Sequence, residues 1–285
     1  MTPRRLALTM AFVGLLLAGC GSFLMIHRFD FQWQRPLTAD WQPEITVHIQ
    51  GEDASYLWEQ LDHAFAYAFG RLEGWGLYRE SIDMYIYPDH DTMEEGTWQH
   101  GKSYMVGFGQ YATVSLQSPR TWSKSRWQRH FREVMTHELT HIMMYQTACN
   151  RCWWFWCGIP LWFREGLASY VADQGWRRGD RAGLREYYFS SHYVGDPLLD
   201  DEAVKRRNTS IVYRAGHWAF TDLVALCGKD RVAGIMTAMD HGADFDDAFK
   251  DTVGVGHQDY ARLWQEDLQM GRNTVQYRRG QWCAP

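Results

Sequence analysis

The segment HELTH, residues 137–141, groups two histidines and a glutamate around a point that one metal ion could occupy. His137 and His141 are four residues apart. On a helix they leave the same face one turn apart, and both imidazoles can meet one ion. Glu138 is angled toward the same opening and can reach a water molecule held there. This set suits hydrolysis, in which a metal activates water and a carboxylate takes its proton. The donor types point to Zn²⁺, which in catalytic sites takes three protein ligands and keeps its fourth position open. The third ligand must come from a separate element.

Glu165 lies downstream in LWFREGLASY, residues 161–170. HELTH followed by WFREGLASY resembles the gluzincin peptidases. It is especially similar to their aminopeptidase branch and to the smaller peptidase MA-like domains. The resemblance implies a zincin-like fold and a Zn²⁺ cofactor. It also makes Glu165 the third ligand, because in those families the glutamate before Gly-hydrophobic-Ala-x-Tyr binds zinc. The similarity continues in IVYRAGHWAFTDLVALCGKDRVAGIM, residues 211–236. Here the family tyrosine that stabilises the oxyanion falls on Tyr213, although Ala215 stands where the aminopeptidases have lysine. His217, one turn further on, reads as a structural histidine. GFGQY, residues 107–111, occupies the place of a Gly-x-Met-Glu-Asn strand motif. The glutamate that holds a free amine in that motif has no counterpart, which speaks against an exopeptidase. Ser169 stands where thermolysin-like members carry an aspartate, so no carboxylate emerges to orient a histidine ligand.

What the resemblance implies is zinc-dependent hydrolysis of a peptide or protein substrate. Glu138 accepts the proton of the attacking water and passes it to the leaving amine, while the Tyr213 hydroxyl stabilises the oxyanion. The same residues are compatible with a zinc amidase acting on peptidoglycan peptides, or with a non-catalytic envelope scaffold that retains the fold. Intact Glu138 speaks against the scaffold, since a structural site needs ligands but no base.

The elements that must position these residues follow from periodicity. ITVHIQ, 45–50, alternates as a strand, and 53–76 carries apolar residues at helical spacing. SIDMYIYP, 81–88, predicts a strand closed by proline, and residues 89–103 read as a loop. Residues 104–116 predict one or two strands broken by Gly107 and Gly109. The strand around 111–116 is expected to flank the cleft and pair with an extended substrate. HELTH sits in a helix over about 125–145, and Pro160 suits the first turn of a helix over 160–173. Residues 174–207 read as polar and irregular, and helices follow at 210–226, 229–239, 243–251 and 257–270. Strands first and helices later predict an α+β fold. A small N-terminal mixed sheet with the active-site helix, to about residue 147, precedes a helical subdomain over about 160–270.

Arg4 and Arg5 precede an apolar run over residues 6–19, long enough for a signal peptide and short for a membrane span. The run ends in Leu17-Ala18-Gly19-Cys20, which resembles a bacterial lipobox. That resemblance implies cleavage after residue 19 and acylation of Cys20, so that a lipid bilayer is a partner. With Gly21 next, it favours the outer membrane, with the domain in the periplasm or at the cell surface. Residues 20–44 read as a tether and 45–285 as the metallopeptidase domain. Residues 1–19 carry two arginines and no acid, so their loss takes the formal charge from −5 to −7. No basic field favours nucleic acid.

Export favours disulfides. Besides Cys20 there are Cys149, Cys152, Cys157, Cys227 and Cys283, enough for two bridges with one cysteine over. Cys149–Cys157 and Cys152–Cys157 are the local candidates, and a bridge to Cys227 or Cys283 is equally allowed. An iron–sulfur or redox centre on these cysteines is disfavoured by export. Between His141 and Glu165 stands CNRCWWFWCG, 149–158, whose Trp153, Trp154 and Trp156 suit either packing beneath the C-terminal helices or an apolar wall.

Overall fold

The computed structural model describes residues 31–35, 39–50, 54–97, 99–102, 105–122, 127–149, 151 and 157–283. Cys20, Cys152, Trp153, Trp154 and Trp156 lie outside the described residues.

Five strands form one mixed sheet in the order β1-β2-β3-β5-β4. They are β1 (Phe31–Arg35), β2 (Ile45–Ile49), β3 (Ile82–Tyr87), β4 (Gly107–Gly109) and β5 (Thr113–Gln117). β2, β3 and β5 run parallel, with β1 and β4 antiparallel on the two margins. A parallel pair needs a crossover. Helix α1 (Ala54–Leu72) supplies the first, between β2 and β3, and α2 (His90–Thr97) lies within the second, between β3 and β5. β2 alternates as its sequence demands, with Ile45, Val47 and Ile49 buried between less buried neighbours. β3 is buried on both faces from Met84 to Tyr87. Met93 of α2 packs with Tyr85 and Tyr87 in a small cluster apart from the main core.

Four sequence expectations are corrected here. β1 falls inside the segment read as a tether. Its FQWQR alternates at strand period, but only for five residues before Pro36. The 89–103 loop contains α2, which Asp89 caps by accepting from the Thr92 N–H at 2.8 Å. Gly107 and Gly109 do not break a strand but lie within β4, and the chain reverses just after them, where the Gln110 N–H donates to the Thr113 carbonyl at 2.8 Å. Finally, β5 is interior, paired with β3 on one side and β4 on the other. The strand at the sheet margin is β4, not the strand around 111–116.

Helix α3 (Trp127–Ala148) is buried almost all round from Glu133 to Thr147. Its buried Gln146 is fully matched. Gln146 accepts from the Arg79 and Glu80 N–H groups at 2.7 and 3.0 Å and donates to the Tyr111 carbonyl at 2.8 Å. The remainder is helical: α4 (Leu161–Val171), α5 (Arg181–Phe189), α6 (Asp201–Lys205), α7 (Thr209–Cys227), α8 (Lys229–Asp240), α9 (Phe245–Val253), α10 (His257–Gln269) and α11 (Thr274–Arg278). α5 and α6 lie in the stretch read as irregular. α5 shows its signal in retrospect, with Asp180 as cap and Leu184, Tyr187 and Tyr188 buried at helical spacing. This is an α+β architecture with a small mixed sheet and a mostly helical remainder. Among the described residues, no helix is long and apolar enough to cross a membrane.

Among the described residues two disulfides are present, Cys149–Cys157 and Cys227–Cys283. The first closes a span of 8 residues between α3 and α4. The second joins the end of α7 to the chain's C-terminal segment across 56 residues. On a chain-entropy account the short loop contributes about 2.5 kcal/mol and the long one about 4 kcal/mol.

Candidate metal centre

α3 brings His137 and His141 to one face with their rings 4.8 Å apart, and α4 brings Glu165 to meet them. All three are buried. His137 Nε2 lies 3.2 Å from His141 Nε2 and 3.2 Å from Glu165 Oε2, and His141 Nε2 lies 3.6 Å from the same oxygen. Ligand bonds of 2.0–2.2 Å in tetrahedral geometry place neighbouring donors about 3.3–3.6 Å apart. The three atoms therefore form a triangle sized for a tetrahedral Zn²⁺. Both Nδ1 atoms are buried and without a hydrogen-bond partner. With the imidazole protons on those nitrogens, two ring lone pairs and a carboxylate oxygen converge at van der Waals range. A cation relieves that convergence, and the residues fit one.

Burial is the main cause that lowers the His137 pKa, to about 4, aided by the charges of His141 and Arg178 and opposed by Glu165. Burial pushes Glu165 up, but its close contacts with the two imidazoles outweigh that and hold it well below the usual carboxylate range. At neutral pH His137 is neutral and Glu165 ionised, the forms that bind metal.

Glu138 shares the opening. Burial raises its pKa to about 7, with the Glu165 charge adding to the rise and His141 and a hydrogen bond from the Gly109 N–H opposing it. A carboxyl poised near neutrality can both take and return a proton. β4 makes this contact by lying directly on α3. A Cβ at Gly107 would stand 2.8 Å from Glu138 Oε1, and one at Gly109 would stand 2.9 Å from the Glu138 carbonyl. In the sequence the two glycines read as breaks. A Gly-x-Gly inside a strand also marks close approach of another chain segment.

A second glycine contact sets the far wall. α4 and α7 cross so closely that a Cβ on Gly166 would lie 2.6 Å from the Gly216 carbonyl. One on Gly216 would lie 2.7 Å from the Trp162 carbonyl. The crossing places Glu165, next to Gly166, and Tyr213, one turn before Gly216, around the same opening. The Tyr213 ring lies 6.5 Å from that of His137, the planes 21° apart. Together His137, Glu138, Val134, Gly107 and Tyr213 line a cleft of about 400 Å³. Arg178 and Gln174, from the stretch read as irregular, line it too. No motif marked them. His217 stands outside this group: its Nδ1 is 2.9 Å from Ser169 Oγ, and burial, with the charges of Arg178 and Arg181, lowers its pKa to about 4. Ser169 thus serves His217, not a ligand histidine.

No protein-family profile matches the chain, and no curated protein does. Among solved structures it is similar to an aminopeptidase N family protein from Idiomarina loihiensis. The TM-score is 0.51 at 13% identity, over 86% of this chain and 48% of that one. It is also similar to a variant of an M1 zinc metallopeptidase from Deinococcus radiodurans, with a TM-score of 0.47 at 13% identity, over 82% and 51%. The chain spans about half the length of each. The first of these likenesses shows a shared fold, α+β with a small mixed sheet and a mostly helical remainder. In this chain a His-His-Glu triad that could hold a metal is set beside that sheet.

Proposed function

We propose that this chain is a zinc-dependent peptidase of the gluzincin type, tethered to a bacterial envelope membrane through lipid on Cys20. The observation that carries the catalytic part is the triangle of His137 Nε2, His141 Nε2 and Glu165 Oε2 with Glu138 buried beside it. When bound, zinc supplies Lewis acidity, lowering the pKa of a coordinated water toward ~7 and polarising the scissile carbonyl.

The chain's own residues do the rest. Glu138 takes the proton of the attacking water and delivers it to the leaving amine. Tyr213, beside His137, donates to the oxyanion, a contact whose loss typically costs ~10²–10³ in rate. β4, at the sheet margin and touching Glu138, offers its backbone to an extended peptide. The missing free-amine glutamate favours cleavage within a chain over removal of its first residue. The Cys20 anchor rests on the lipobox resemblance alone.

Glu138→Gln tests the catalytic assignment. The variant is expected to keep about one zinc per chain and to lose hydrolysis of a proteome-derived peptide library. Turnover equal to that of the unaltered protein would refute it.

A further inference from the structure

Arg178 lines the cleft that β4 also borders, and its position is prepared. Its Nη2 donates to Gln174 Oε1 at 2.6 Å, and Gln174 is itself buried. Its guanidinium carbon sits 5.0 Å from the centre of the Tyr213 ring, and that ring lies 6.5 Å from the ring of His137. This contact, with the tyrosine ring, orients the guanidinium in the cleft wall. Lys205 Nζ stands over the same tyrosine ring at 5.7 Å. The first turn of α7, with Thr209 and Ser210, completes this wall and turns the positive end of a 19-residue helix toward it. One wall of the cleft therefore carries an oriented guanidinium.

A guanidinium held at a cleft wall by a buried amide and an aromatic face is arranged for a planar anion. Each residue of extended peptide spans about 3.3–3.6 Å, so a group two or three residues from the scissile bond reaches it. We infer that Arg178 is a specificity-determining residue that binds a substrate carboxylate, so that the cleft prefers acidic peptides or peptides ending near the cut. This rests on the peptidase reading. The shared chemistry is the carboxylate, which an internal Asp or Glu side chain or a free C-terminus can supply.

The test uses the zinc-loaded full chain and two matched sets of peptides. One set compares a free C-terminus with its amide, and the other compares Glu with Gln at successive positions around the cleavage site. The unaltered protein should prefer the carboxylate member of at least one set by roughly 10- to 100-fold in kcat/KM, the worth of a hydrogen bond to a charged group. Arg178→Ala should bring that ratio close to one, mainly through KM, and Arg178→Lys should restore part of it. A residue that only props up Tyr213 would slow both members of a pair equally, and an unchanged ratio in Arg178→Ala would overturn the inference. So would an unaltered protein that cuts both members equally well, and that result would leave the peptidase reading standing. If no peptide is cut, the peptidase reading fails, and binding of the same pairs to zinc-loaded Glu138→Gln decides the inference. Selective, Arg178-dependent binding of the carboxylate member sustains it, and equal binding ends it.

Discussion

Helix α4 presents two side chains one turn apart, and each meets a buried imidazole. Glu165 meets His137 at 3.2 Å, and Ser169 meets His217 at 2.9 Å. Burial lowers both histidine pKa values to about 4, so burial does not separate the two sites. The count of protons against lone pairs does. Ser169 and His217 form a closed pair, in which one hydroxyl and one ring nitrogen share one proton. At Glu165, two ring nitrogens and a carboxylate oxygen converge while both outer ring nitrogens are left without a partner. A matched histidine holds helices together, and a cluster with lone pairs in excess calls for a cation.

Changes on α4 and α7 can break this contrast. The largest effect is expected from Glu165→Ala, which removes a ligand and should weaken zinc binding by more than ~100-fold, beyond the ~10–100-fold typical of losing an outer partner of a ligand. Competition with a chelator measures it, and an unchanged affinity would remove Glu165 from the site. Gly216→Ala should disturb both clusters together, because the new Cβ meets the Trp162 carbonyl at 2.7 Å. Overpacking of this kind costs about 1–3 kcal/mol, visible as a lower denaturation midpoint alongside weaker zinc binding. If zinc affinity survives while stability falls, the crossing does not position Glu165.

Ser169→Ala should do the reverse of Glu165→Ala. It leaves the His217 Nδ1 unpaired at a cost of about 1–3 kcal/mol while zinc binding stays as it was. Zinc loss in this variant would erase the distinction between the clusters.

The smallest effect is a pH slope. The His217 pKa falls from an unfolded value near 6.5 to about 4. Between those values the unfolded chain binds a proton that the folded chain does not. The contribution is therefore fully present above about pH 6.5 and is lost as pH falls toward 4, by at most about 1.4 kcal/mol per pH unit. His217→Asn should flatten stability against pH in that window, and an equal slope would show that His217 is not held neutral.

What was legible in the sequence is what is local. HELTH declares its geometry because two histidines four apart on a helix have little freedom, and the long helices declare themselves through apolar spacing. The ranges over α3, α4 and α7 to α10 match within two or three residues. Illegible were contacts between distant segments. Nothing in GFG says which helix will press on it, and only the packed chain shows that Glu138 is the neighbour. Gln174 and Arg178 flank a turn of three residues, Gly175–Arg177, too short to show a period. The Cys227–Cys283 bridge spans 56 residues, and spacing alone does not choose among partners at that range. The marginal place of β4 depended on strand order, which local pattern does not encode.

The central claim is that His137, His141 and Glu165 hold one zinc ion between them. Metal analysis of the purified chain, joined to X-ray absorption at the zinc edge, tests it most directly. The account predicts about one zinc per chain, bound by two imidazole nitrogens and a carboxylate oxygen, and none in His137→Ala. A metal-free chain after zinc loading, or stoichiometric zinc retained in His137→Ala, would contradict it.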